Sequence, residues 1–330
     1  MRGPDQVKGW RPSRRVSAIA AAGAALAAAA IIAVVISHGP APTGHGSAST
    51  AHGSTPTAHG STPIALVLPP STAYVTNYGD DTVTPIDVAT GSAGTPIKGV
   101  NNPGPIATTP DGKTAYVVLS PDNGNGTVTP IDLATGSVGT PIQVGNGPDA
   151  IAITPDGKTA FVVNNGSGTV TPIDLATGSA GTPIQVGNHP DAIAITPDGT
   201  TAYVVNSEES SNNGTVTPID LATGSTGTPI QVGDGPDAIA ITPDGKTAYV
   251  ANLDGTTGVT PIDLATGSAG TQIPGRDCDA IAVTPDGKTV YFASTYNGSD
   301  GTVTPIDVAT GSEGNPIQVG NGPDAIAFTP

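Results

Sequence analysis

Residues 147–188 read GPDAIAITPDGKTAFVVNNGSGTVTPIDLATGSAGTPIQVGN, and this stretch decides the fold. It holds four short extended runs. Segment A is DAIAI, and it ends in the turn Thr-Pro-Asp-Gly, where Pro fixes φ and Gly is free to take φ > 0. Segment B is TAFVV, followed by a loop rich in Asn and Gly. Segment C is GTVTPID, closed by Ala-Thr-Gly-Ser, and segment D is TPIQV. No run shows helical periodicity.

Working outward, the same unit recurs. Pro-Ile-Asp-(Leu/Val)-Ala-Thr-Gly begins at Pro85, Pro130, Pro172, Pro218, Pro261 and Pro305. Thr-Pro-Asp-Gly begins at Thr109, Thr154, Thr196, Thr242 and Thr284. Repeats of about 40–45 residues with four strands each predict a β-propeller, because helical solenoids of that period would show a 3.6-residue pattern. The fold class expected is therefore all-β, a propeller of four-stranded antiparallel blades, six in number, with seven as the alternative. In the six-blade reading, 324–328 supplies the inner strand of the first blade and closes the ring, removing sheet edges open to aggregation.

The unit resembles the YVTN β-propeller repeat, and the first copy spells it as Tyr74-Val75-Thr76-Asn77. The resemblance covers roughly residues 64–330 and implies a propeller of the surface-layer type. One departure stands out. Segment C carries proline where that family has a β-branched residue, so a bulge and a short C–D ladder are expected there.

The N-terminal part differs in kind. Residues 1–15 form a basic segment with Arg2, Lys8, Arg11, Arg14 and Arg15 against Asp5. Residues 16–37, VSAIAAAGAALAAAAIIAVVIS, are uncharged and long enough for a transmembrane helix. Cations before and none within place the N-terminus inside and the rest outside. The segment reads as an uncleaved signal-anchor, or as a signal peptide; Pro40 after the Ser37-His38-Gly39 triplet disfavours cleavage. Residues 38–62 form a low-complexity tether with His38, His45, His52 and His59 in a seven-residue phase. Nothing orders these rings into one metal shell, so a flexible linker is the simpler reading. Residues 63–330 are the propeller.

Charge excludes one partner class. Past residue 37, six cations face 26 acids, so nucleic acid, which needs a basic footprint, is not expected. The single cysteine, Cys278, allows no intrachain disulfide and no cysteine zinc site.

Strand direction sorts the loops into two faces. The A–B and C–D turns share one and barely vary. The B–C and D–A loops share the other and carry the variety, including Asp80, Asp81, Asp122, Glu208, Glu209, Asp254 and Asp300. The variable face also bears an aspartate at the start of each segment A: Asp149, Asp191, Asp237, Asp279 and Asp324. These would ring the mouth of the central channel. A hard cation such as Ca²⁺ would relieve their repulsion; alternatively each caps its own turn or bonds the neighbouring blade. No other cofactor is implied. Asn125, Asn165, Asn213 and Asn297 fit a glycosylation pattern but also ordinary Asn-Gly loops. The propeller's one histidine, His189, has no nucleophile assigned to it by sequence. The expectation is an extracytoplasmic, membrane-tethered, monomeric propeller that binds a protein or glycan through its variable face. A metal-dependent hydrolase or lyase at the channel mouth, and a structural surface-layer component, are the alternatives.

Overall fold

The computed structural model describes Ala33–Val34 and residues 72–330, apart from 89, 122–123, 208–213, 254–257, 276–277, 297–299, 321–322, 324, 327 and 329–330. Six sheets follow one another along the chain as propeller blades. Blade 3 is Pro148–Ile153, Thr159–Asn164 and Thr169–Asp174, with Ser179–Ala180 and Ile184–Gln185 at its outer edge. Blade 4 repeats it as Pro190–Ile195, Thr201–Asn206, Thr215–Asp220 and Ile230–Gln231. Strands A, B, C and D pair antiparallel in that order, and the A strands of blades 2–6 lie side by side.

The core lies between blades rather than within them. Alternating residues of each sheet face the next sheet, so buried Val, Ile and Ala form one cluster per junction from blades 1–2 to 5–6. Tyr203 of blade 4 packs beside Ile239 and Ile241 of blade 5, and Tyr249 beside Ile281 of blade 6. Beyond blade 6, the ring of Phe328 lies 5.4 Å from that of Tyr291, continuing this pattern.

The proline expectation needs correcting in part. All six prolines stand in regular register opposite the aromatic of strand B, as in Phe161↔Pro172 and Tyr203↔Pro218, with no bulge. The reason is direction. The carbonyl of Pro172 points to the D side, where it accepts the Gly181 N–H at 2.7 Å. The missing N–H points the same way, so the B–C ladder loses nothing. The C–D ladder is indeed interrupted: C meets D only on either side of the proline, at Ile173↔Ala180 and Val170↔Ile184. Strand D comes so close there that a Cβ on Gly227 would sit 2.9 Å from the Pro218 ring. The same approach, under 3.0 Å, holds at Gly139 and Gly314, and contact there requires glycine.

The bulges lie instead in strand A. Pro148 pairs with Asn164 and Ala150 with Val163, leaving Asp149 as the extra residue. The same shift occurs around Asp191, Asp237 and Asp279.

Blade 1 is completed differently from expectation. Beside Thr72–Asn77 lies Ala33–Val34, running parallel, with Ala33↔Tyr74 and Val34↔Val75. Of the segment expected there, Ala325, Ile326 and Phe328 are described and lie in no strand. The remainder of 16–37, and the histidine tether at 38–62, lie outside the described residues. Among the described residues no helix is long and apolar enough to cross a membrane.

Candidate functional site

The two repeated motifs of the constant face are self-contained turns. In Thr154-Pro-Asp-Gly the Thr154 hydroxyl donates to Asp156 Oδ1 at 2.6 Å, and Asp156 Oδ1 accepts the Lys158 N–H at 3.1 Å. Gly157 takes φ +69°, closing the turn. In the copy at Thr109, the Thr109 hydroxyl, then the Lys113 backbone and side chain, lower the Asp111 carboxyl to about 2. The Ile-Asp-x-Ala-Thr-Gly motif works alike: Asp220 accepts both the N–H and the hydroxyl of Thr223 at 2.8 Å. These bonds lower the carboxyls of Asp132, Asp174, Asp220, Asp263 and Asp307. The threonine hydroxyl is the larger cause in Asp132, Asp220 and Asp307, and the threonine N–H in Asp174 and Asp263. Turn chemistry accounts for every acid named here.

At the variable face, strand B ends in a fully buried asparagine in blades 3, 4 and 5: Asn164, Asn206 and Asn252. Asn164 Nδ2 donates to Thr169 and Thr171, while its Oδ1 accepts the N–H of Gly145 at 2.9 Å, tying in the chain arriving from blade 2. Asn206 does the same with Thr215, Thr217 and Gly187. Blade 6 has Ser294 at the position, hydroxyl to hydroxyl with Thr302 at 2.9 Å, and blades 2 and 5 each leave a buried polar atom unmatched. Blade 2 has Leu119 at the position, and the buried Thr129 hydroxyl, opposite its missing donor, has no partner. In blade 5, Asn252 Oδ1 is unpartnered although its Nδ2 bonds Gly258 and Thr260.

The junction of blades 3 and 4 is unlike the others. His189 stands where Gly147 and Gly235 precede the A strands of blades 3 and 5, and it takes φ +45°. A left-handed backbone costs a non-glycine residue about 1–2 kcal/mol. Its Nδ1 lies 3.4 Å from Asn165 Oδ1. Asn165 Nδ2 donates across the junction to Asp191 Oδ1 at 2.6 Å, and the Ser207 hydroxyl donates to Asp191 Oδ2. Asp191, only 3% exposed, is thereby buried among donors from both blades. Although Ser, Asp and His meet here, the order is wrong for nucleophilic catalysis. Ser207 is bonded to the carboxylate rather than to a base, and Asn165 contacts both the acid and the imidazole. Above this network opens a cleft of about 600 Å³, lined by Asn165, Gln185, Asn188, His189, Thr215 and Gln231 among others. Its size falls within the range of roughly 300–1,000 Å³ typical of small-ligand sites.

The remaining sequence candidates are distributed as follows. Asp149, Asp237 and Asp279 are half-buried at their bulges, and none of the four described ring aspartates lacks a polar partner. Among the described residues no group of three or more His, Cys, Asp or Glu could hold a metal ion. Asp81 is engaged as a staple: its Oδ1 accepts the Asn102 N–H at 2.7 Å. Asp80 is exposed. Asp300 is not a loop residue; it begins the strand Asp300–Asp307, paired with Tyr296. Asp122, Glu208, Glu209, Asp254 and Asp324 lie outside the described residues. Sequence reading named Asn165 only for a glycosylation pattern, gave Ser207 no role beyond the variable loop, and passed over the glutamines. The one available signal was the replacement of a turn glycine by His189.

No protein-family model and no curated protein matches the chain. Among solved structures, it is similar to hydrazine synthase of Kuenenia stuttgartiensis, with 28% identity and a TM-score of 0.57 over 65% of this chain and 65% of that one. A functionally unknown protein from Desulfotomaculum acetoxidans DSM 771 is 16% identical, with a TM-score of 0.61 over 74% and 81%. A Bacteroides uniformis ATCC 8492 protein assigned as a 6-phosphogluconolactonase is 17% identical, with a TM-score of 0.60 over 76% and 81%. The chain thus spans just under two thirds of the hydrazine synthase chain. The latter two likenesses bear on fold alone.

Proposed function

We propose that this chain is a membrane-tethered, extracytoplasmic propeller of the YVTN repeat type that binds a ligand of the cell envelope through its variable-loop face. The observation that carries the reading is the junction of blades 3 and 4. Here a histidine in the left-handed region, a cross-blade Asn–Asp bond and an open polar cleft coincide, whereas the matching positions are Asn102 in blade 2, Gly147 in blade 3 and Gly235 in blade 5. A histidine held where glycine or asparagine is favoured points to use, because turn chemistry alone would not select an imidazole. The arrangement supports binding over catalysis, since among the described residues no activated nucleophile or acid–base pair faces the cleft. The basic segment and apolar run at 1–37 support the tether.

The test is binding of the purified full chain to cell-envelope particles. Saturable binding should be lost in Gln185→Ala/Asn188→Ala/Gln231→Ala and kept in Lys158→Ala/Lys246→Ala on the opposite face. Equal loss in both, or loss only in the second, refutes the reading.

A further inference from the structure

The cleft between blades 3 and 4 has an unusual charge character for this protein. The chain carries a net charge of −16, yet among the described residues no Asp, Glu, Lys or Arg lines the cleft. Its polar lining is mostly amide and hydroxyl, from Asn165, Gln185, Asn188, Gln231, Thr215 and Thr217, with the His189 imidazole beside them. An Asn or Gln side chain offers donors and an acceptor together, and a hydroxyl offers one donor and two acceptors. A ligand filling such a site must itself present closely spaced groups that both donate and accept. Among the described lining residues a charged ligand would meet no carboxylate, ammonium or guanidinium group to offset its desolvation. An apolar one would leave the amides unpaired.

The edge strands restrict the choice further. Strand D is broken opposite Pro172 and Pro218. The bordering edges Ile184–Gln185 and Ile230–Gln231 therefore offer only two consecutive residues each. An extended peptide adding as a strand needs a longer run of free backbone groups. A compact polyhydroxylated ligand does not. Gln185 and Gln231 stand on the outer strands of adjacent blades, and both line the cleft.

We infer that this cleft binds a neutral saccharide, with Gln185 and Gln231 as its main hydrogen-bonding arms. The inference rests on the binding reading above and names the ligand class of that same site. Recognition is by hydroxyl–amide exchange rather than by charge.

The test uses the full chain and saturation-transfer NMR with cellobiose, maltose and N,N′-diacetylchitobiose, against glucosamine and glucuronic acid as charged probes. At least one neutral sugar should bind. Gln185→Ala and Gln231→Ala should each weaken it about fivefold, the ordinary effect of losing one neutral hydrogen bond. Gln143→Ala, the matching exposed glutamine of blade 2, should leave it unchanged. All three positions are exposed, so folding is not at stake; circular dichroism checks it. Preference for a charged probe overturns the inference, as does sugar binding indifferent to both substitutions. If no neutral sugar binds while envelope binding persists and still needs the cleft, the ligand class is wrong and the binding reading stands. If envelope binding also ignores the cleft, both fall.

Discussion

Thr129 and Thr217 occupy the same place in blades 2 and 4, and replacing each by valine should move stability in opposite directions. Thr217 is 2% exposed, and its hydroxyl accepts a hydrogen bond from Asn206 Nδ2 at 3.0 Å. Thr129 is 1% exposed, and its hydroxyl has no partner, because Leu119 stands where Asn206 stands in blade 4. An unmade buried hydrogen bond costs about 1–3 kcal/mol, whereas a made one contributes about 1 kcal/mol. Valine matches threonine in shape without the hydroxyl. Thr129→Val should therefore stabilise by about 1 kcal/mol and Thr217→Val destabilise by about as much. For a domain of this size either change shifts the thermal midpoint by roughly 2–4 °C. Differential scanning calorimetry on the full chain reads both. A double-mutant cycle adds a control: Leu119→Asn should interact favourably with Thr129 by about 1 kcal/mol and lose that coupling on Thr129→Val. If Thr129→Val lowers the midpoint as Thr217→Val does, the account of the buried asparagine is wrong.

Three further outcomes follow from the turns and the junction. His189→Gly should raise the thermal midpoint by a few degrees through relief of a left-handed backbone costing about 1–2 kcal/mol, and weaken envelope binding. A midpoint that falls would show that the imidazole's packing outweighs the strain. Gly227→Ala, whose Cβ would meet the Pro218 ring, should destabilise by about 1–3 kcal/mol in urea unfolding, whereas Gly91→Ala meets no neighbouring atom and should suffer only the penalty of its positive φ. The turn aspartates have folded pKa values below their unfolded ones, as Asp111 at about 2 illustrates. Their contribution is present above the unfolded value near 4 and is lost as pH falls through the folded values. Stability from this source should be flat above about pH 5 and decline between about pH 4 and 2. A decline that begins near neutrality would need another group.

The blades were legible because their signals are local and repeated. Alternation in DAIAI and TAFVV, and the Pro-Asp-Gly and Thr-Gly turns, each predict a strand or a reversal from neighbouring residues alone, and six copies make the period unmistakable. What lay beyond sequence reading depends on contacts between blades. That Asp149 and its counterparts sit at bulges follows from A–B register, which no alternation pattern records. That Pro172 spares the B–C ladder depends on which way one carbonyl points. Asp191 was chosen as a ring member, but its bonds come from Asn165, 26 residues earlier, and Ser207, 16 residues later. Gln185 and Gln231 have counterparts in Gln143 and Gln318 and carry no local mark; only the cleft singles out these two.

The most direct test of the binding account is hydrogen–deuterium exchange of the full chain with and without cell-envelope particles. The account predicts added protection confined to the loops and strand ends at 165–168, 185–189 and 214–217, with the Thr-Pro-Asp-Gly turns of the opposite face unchanged. Protection centred on those turns, or spread evenly over all six blades, would contradict it.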